Sequence, residues 1–130
     1  MGTREDVDLV RRGYEAFGAG DMDTLRGLFA EDAVWHLGGS GGLSGDKQGL
    51  DAILAYFGEL FTRSDGTIKV DLDDLIGGEN HTVGFQRVHA QRNGAAIDQR
   101  TVIVFTLKDG KVSEVYEFPE DTAKAADFWS

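Results

Sequence analysis

The spacing of apolar residues changes between Phe61 and Ile68 from helical to alternating, and that switch restricts the fold more than anything else in the chain. Ahead of it, Val7, Val10, Tyr14 and Phe17, then Met22, Leu25, Leu28 and Phe29, then Leu50, Ile53, Leu54, Phe57 and Phe61 recur every three to four residues, as one face of a helix requires. Beyond it, Ile68, Val70 and Leu72 alternate with charged residues, and Val83 to Gln91, Ile97 to Leu107 and Val112 to Phe118 read as three further strands. Asn93-Gly94 and Asp109-Gly110 lie between successive strands and tolerate the positive φ of a hairpin turn, so those neighbours pair antiparallel.

Local punctuation divides the helical half. Thr3 with Asp6 resembles a capping box, Gly18 and Gly20 end the first helix, and Asp21 caps a short second one. A strand over Ala33 to Leu37 runs into the glycine-rich stretch GGSGGLSG, and a last short helix from Thr122 to Trp129 has Ala123, Ala126 and Trp129 at a spacing that folds back on the sheet. The expected order is α-α-β-α-β-β-β-β with that helix at the end. This is an α+β fold, a curved antiparallel sheet packed by three helices from the N-terminal half and enclosing a pocket.

The 130 residues suit one domain, 1–130, with one core. Absence of cysteine removes disulfides, thiolate nucleophiles and Cys-ligated metals, and fits a reducing compartment. The N-terminal MGTREDVDLVRRG carries charges where a signal peptide needs an apolar core, and no apolar run approaches the roughly 20 residues that span a bilayer. A cytoplasmic protein is expected. The formal net charge of −10 opposes nucleic acid and anionic membrane surfaces alike, since no Lys/Arg cluster relieves it.

Strong sheet curvature would leave a concavity, and Tyr14, Phe17, Trp35, Phe57, Phe61, Phe105, Tyr116 and Trp129 supply an aromatic lining suited to a small apolar organic molecule. The same residues would equally make a plain core. His36 and His89 fall inside strands; Arg87 and His89 share a strand face with Phe85 and Val83. If that face is concave, Arg87 can hold an oxyanion while His89 moves a proton; if convex, both are solvated or interfacial. Parity leaves open whether Trp35 or His36 points inward. Asp121 is placed to cap the last helix, and Asp121 or Glu120 could instead reach the pocket rim as an acid. GGSGGLSGDKQG lacks the ending of a phosphate loop, and neither a serine-hydrolase elbow nor a His-Glu-x-x-His pair is present, so no metal is expected. His81 sits in a turn.

The words YEAFGAGDMDTLRGLFAEDAVW and LKDGKVSEVYEF followed by PED, taken with the element order, resemble the opening and closing patterns of the nuclear transport factor 2-like (ketosteroid isomerase-like) superfamily, and within it the SnoaL-like polyketide cyclase branch. The resemblance covers nearly the whole chain. It implies a cone-shaped sheet around a deep pocket and a homodimer through the outer sheet face. It also implies one of several activities, since such proteins include isomerases, epoxide hydrolases, cyclases and binding proteins without chemistry. Tyr14 lies where the isomerases carry an oxyanion-hole tyrosine, whereas their two acids would fall near Leu37 and Ile103. FQRVHAQ is similar to the hydrolases' Arg-x-Asp strand, with Arg87 retained and His89 in place of the aspartate. His36 falls near their water-binding asparagine, which favours His36 as the inward residue, and Asp121, or Glu120 after a slip of one, comes close to the cyclases' general acid/base. The implied function is cofactor-free acid/base chemistry on a small apolar organic substrate, with His89 and Asp121 exchanging protons, Arg87 and Tyr14 stabilising an oxyanion and His36 positioning substrate or water. The alternative is a binding protein for a hydrophobic metabolite.

Overall fold

The computed structural model describes residues 3–130, and its element order follows the switch in periodicity. Helices α1 (Thr3–Ala19) and α2 (Met22–Leu28), strands β1 (Phe29–Leu37) and β2 (Gly45–Gln48) and helix α3 (Leu50–Arg63) make the first half. Strands β3 (Lys69–Gly77), β4 (Thr82–Arg92), β5 (Ala95–Lys108) and β6 (Lys111–Pro119) and helix α4 (Thr122–Trp129) make the second. Helix α1 already includes Thr3, so Thr3 is a helical residue and not the cap expected of it. Strand β2 escapes the periodicity argument: its four residues GDKQ carry no apolar signal, and it forms an edge of the sheet.

The six strands form one sheet in the order β2-β1-β6-β5-β4-β3. Neighbours run antiparallel except β1 and β6, which are parallel, with Trp35 opposite Val115 and Leu37 opposite Glu117. An all-antiparallel sheet is therefore corrected to a mixed one. No hairpin joins β1 to β6, so nothing local dictates their relative direction. The two predicted hairpins are present, with Asn93 and Gly94 at φ 51° and 80° and Asp109 and Gly110 at φ 54° and 77°, the signs that a type I′ turn requires.

Helix α1 packs across β3 and β4, and two glycines set how closely it can lie. A Cβ at Gly77 would come within 2.2 Å of the Thr3 methyl carbon, and one at Gly84 within 2.5 Å of the Tyr14 hydroxyl. On the other side of the molecule the glycine-rich stretch packs against α4: a Cβ at Gly42 would stand 2.5 Å from the Ala126 carbonyl oxygen. The helix faces and the inner face of the sheet bury a core in which Trp35 meets Phe57 edge to face, with ring centroids 5.2 Å apart. Among the described residues, no helix is long and apolar enough to cross a membrane.

Candidate functional site

Between the helices and the inner face of the sheet lies a cavity of about 120 Å³, the size of a one-ring ligand. Its walls are apolar: Val10, Leu25, Leu60, Ile97 and Ile103 among others, together with the predicted Phe17, Trp35, Phe57, Phe105 and Trp129. A few polar side chains interrupt them, namely Tyr14, Tyr56, Gln86, Gln99, Thr101 and Glu117.

Glu117 dominates the chemistry. The Tyr56 hydroxyl and the Trp35 indole N–H each donate to its Oε1 at 2.8 Å, and no hydrogen bond reaches Oε2 among the described residues. Burial pushes the carboxyl above its usual range, against the two donors and the charge of Lys47, which pull it down. Lys47 stands 5.0 Å from the centre of the Tyr56 ring and donates to the Leu43 and Gly45 carbonyls; burial lowers its pKa while Glu117 opposes the shift.

Tyr14 faces Glu117 across the cavity floor. Gly84, Ile103 and Glu117 stand in one row across β4, β5 and β6, and the Tyr14 hydroxyl rests above Gly84. Two strand spacings, about 10 Å, separate the ends of that row. Among the described residues the Tyr14 hydroxyl has no hydrogen-bond partner, and burial, with the charge of Glu117 second, raises its pKa far above the phenol range. Tyr56 is raised for the same two reasons and by its bond to Glu117. Both therefore enter the site as neutral donors.

Of the residues expected to form a catalytic group, only Tyr14 lines the cavity. The inner face of β4 is Thr82, Gly84, Gln86, Val88 and Ala90, which puts Arg87 and His89 on the outer face. There Arg87 approaches Asp98 at 3.5 Å, and His89 lies between Asp71 and Asp98 at 3.2 and 3.4 Å. Trp35, not His36, points inward. His36 is stacked on Tyr116 outside, with Asp46 at 2.7 Å and Glu114 at 2.8 Å, and hydrogen bonds to these two carboxylates raise its pKa. Asp121 caps α4, its Oδ1 accepting from the Lys124 N–H at 3.0 Å, and Glu120 pairs with Arg100. Tyr116 belongs to the outer face, and Phe61 packs on Phe17 behind the lining.

Residues 10–115 match the SnoaL-like domain. The chain belongs to the SnoaL-like family. An uncharacterized protein of Mycobacterium tuberculosis is 34% identical over 126 residues, covering 96% of both chains. Among solved structures, Bal32a from a soil-derived mobile gene cassette is 36% identical with a TM-score of 0.95, covering 98% of each chain. A protein of unknown function with a cystatin-like fold from Xanthomonas campestris is 27% identical with a TM-score of 0.90, covering 100% of this chain and 99% of that one. The SnoaL-like fold of this chain thus carries its own set of pocket groups, of which sequence reasoning found Tyr14 and the aromatic walls but missed Glu117, Tyr56, Gln86 and Gln99. Strand parity was the available signal, since Val115 and Glu117 are two apart, and so are Gly84 and Gln86.

Proposed function

We propose that this SnoaL-like protein catalyses cofactor-free acid/base chemistry on a small, mostly apolar carbonyl compound, with Glu117 as the proton-transferring group. The observation that carries this reading is the arrangement of Glu117: two donors on Oε1, a free Oε2, and an apolar cavity that raises the carboxyl's pKa. Ionised Glu117 takes a proton from the carbon beside the carbonyl, and the electron pair moves to the carbonyl oxygen. The neutral Tyr14 hydroxyl stabilises the resulting enolate oxygen by donating to it. With an unsaturated substrate the enolate is a dienolate, and Glu117 returns the proton at its far carbon, which shifts the double bond; alternatively the enolate carbon attacks a second carbonyl carbon, which closes a ring, and the proton on Glu117 passes to the alkoxide formed. The apolar walls exclude bulk water, so each of these interactions acts at low dielectric.

Proton exchange of cyclohexanone in D2O, followed by NMR, tests the chemistry directly. Exchange should accelerate with the wild-type protein, fall about 100-fold with Glu117→Gln and about 10-fold or more with Tyr14→Phe. A ketone that binds but exchanges no faster than in buffer would make the protein a binder of hydrophobic metabolites instead. That second reading draws on the same cavity and on the occupation of Oε1 by two protein donors.

The outer face of the sheet is proposed to join a second copy of the chain. Tyr116 and Phe118 stack there with ring centroids 6.2 Å apart, and Val102, Val104 and Phe85 extend the strip across β5 and β4. Arg87 and Arg100 alternate with Asp98 and Glu120 beside it, so the face offers both signs of charge to its own copy across a twofold axis.

A further inference from the structure

Gln86 and Gln99 are amides on the inner face of the sheet, 4% and 6% exposed, and each has a fully buried amide atom without a hydrogen-bond partner among the described residues. Gln86 stands opposite Thr101 in the β4–β5 ladder, and Gln99 opposite Val88, so the two glutamines are diagonal neighbours on adjacent strands. The orientation of Gln99 is fixed from outside the cavity. Its amide oxygen accepts from the Asp121 backbone N–H at 2.8 Å, which only an acceptor can do, so the unpartnered atom is the donor Nε2. Among the described residues no hydrogen bond holds either amide atom of Gln86, and the fully buried one is the acceptor Oε1. A buried donor and a buried acceptor left open side by side are costly in an apolar wall, unless a ligand completes them.

We infer that Gln86 and Gln99 form a subsite for a neutral hydroxyl group of the ligand, next to the carbonyl position held by Tyr14 and Glu117. A hydroxyl accepts from Gln99 Nε2 and donates to Gln86 Oε1, satisfying both with one oxygen. An anionic group would meet an acceptor and the Glu117 carboxyl with no cation among the cavity's lining residues. The row Gln86–Thr101–Pro119 lies next to the row Gly84–Ile103–Glu117 on the inner face, so the two polar points are about 7 Å apart along the strands. The preferred ligand class is therefore a compact hydroxylated carbonyl compound, uncharged, with its two oxygens about one ring apart. This inference rests on the pocket reading above but not on Glu117 transferring a proton.

Phenol and toluene match in shape and differ in one hydroxyl, so the ratio of their dissociation constants, measured by NMR titration, isolates the subsite. Wild-type protein should bind both. In Gln86→Leu the preference for phenol over toluene should drop about tenfold, with toluene binding as well or better. Gln86→Met, which keeps the length of the side chain, serves if the leucine variant does not fold. Tyr14→Phe and Glu117→Gln should leave most of the preference in place. An unchanged ratio in the Gln86 variants would overturn the subsite, as would a ratio that collapses only in Tyr14→Phe or Glu117→Gln. Failure of toluene itself to bind wild-type protein would overturn the pocket reading and the subsite together, whereas toluene binding and cyclohexanone exchange with an unchanged phenol-to-toluene ratio in the Gln86 variants would overturn the subsite alone.

Discussion

The carboxyl of Glu117 is the point at which this site meets solution pH. In the unfolded chain it ionises near 4.5, and burial in the fold raises that value. Its proton is thus held more tightly by the native state, and the associated stability is fully present below 4.5 and lost as pH rises through the folded-state value. Glu117→Gln cannot ionise. Thermal melts between about pH 4 and pH 9 should show the wild-type protein losing stability relative to this variant toward the alkaline end. A constant offset between the two proteins would mean that the fold leaves the carboxyl's affinity for its proton unchanged. The same residue shows why part of the site was hard to read from sequence. In β6 the register slips between Thr106–Glu114 and Leu107–Val112, leaving Ser113 as an extra residue. Counting by twos from Val112 sends Tyr116 and Phe118 inward; after the bulge the inward residues are Val115, Glu117 and Pro119. In β4 the misleading signal was different, since Val83 and Phe85 make the outer face look like a core face. Tyr14 was legible because helical spacing placed it in phase with Val10 and Phe17, where no bulge intervenes.

Among the elements, hairpins and helices followed their local chemistry closely, because Asn-Gly, Asp-Gly and the aspartate caps act within a few residues. What local chemistry could not supply was the direction of β1 beside β6, or the polar edge strand β2. Helix α4 illustrates how an element-scale role can be mistaken for a chemical one. Asp121 stands at its start, and its backbone N–H also fixes Gln99, yet its carboxylate caps the helix. Asp121→Ala should therefore cost about 1 kcal/mol, seen as a fall of roughly 4 °C in Tm, while cyclohexanone exchange per folded molecule stays within about threefold of wild type. Loss of exchange by orders of magnitude, with Tm unchanged, would return Asp121 to the chemistry.

Across the whole molecule the sheet has two unlike faces. The inner one carries the cavity; the outer one exposes Phe118 at 51%, Tyr116 at 40% and Phe85 at 39%, beside paired charges of both signs. Isolated exposed apolar residues need no explanation, but a contiguous aromatic strip does. Phe118→Asp should halve the mass measured by analytical ultracentrifugation while leaving phenol and toluene binding intact. Wild-type protein sedimenting as a monomer at the same concentration would remove the proposed pairing.

The parallel seam between β1 and β6 also fixes when the site comes into being. Trp35 and Glu117 are 82 positions apart, and their hydrogen bond bridges the first strand and the last. Closing so long a loop costs entropy before any contact rewards it, and contacts of this separation slow folding. On the ribosome, helices α1 to α3 and strands β1 to β5 emerge before the carboxylate exists at all. A nascent chain therefore holds Phe17, Trp35, Phe57 and Phe105 of the cavity wall without its acid, and the tryptophan that senses the acid is also the residue whose burial reports that the last strand has docked.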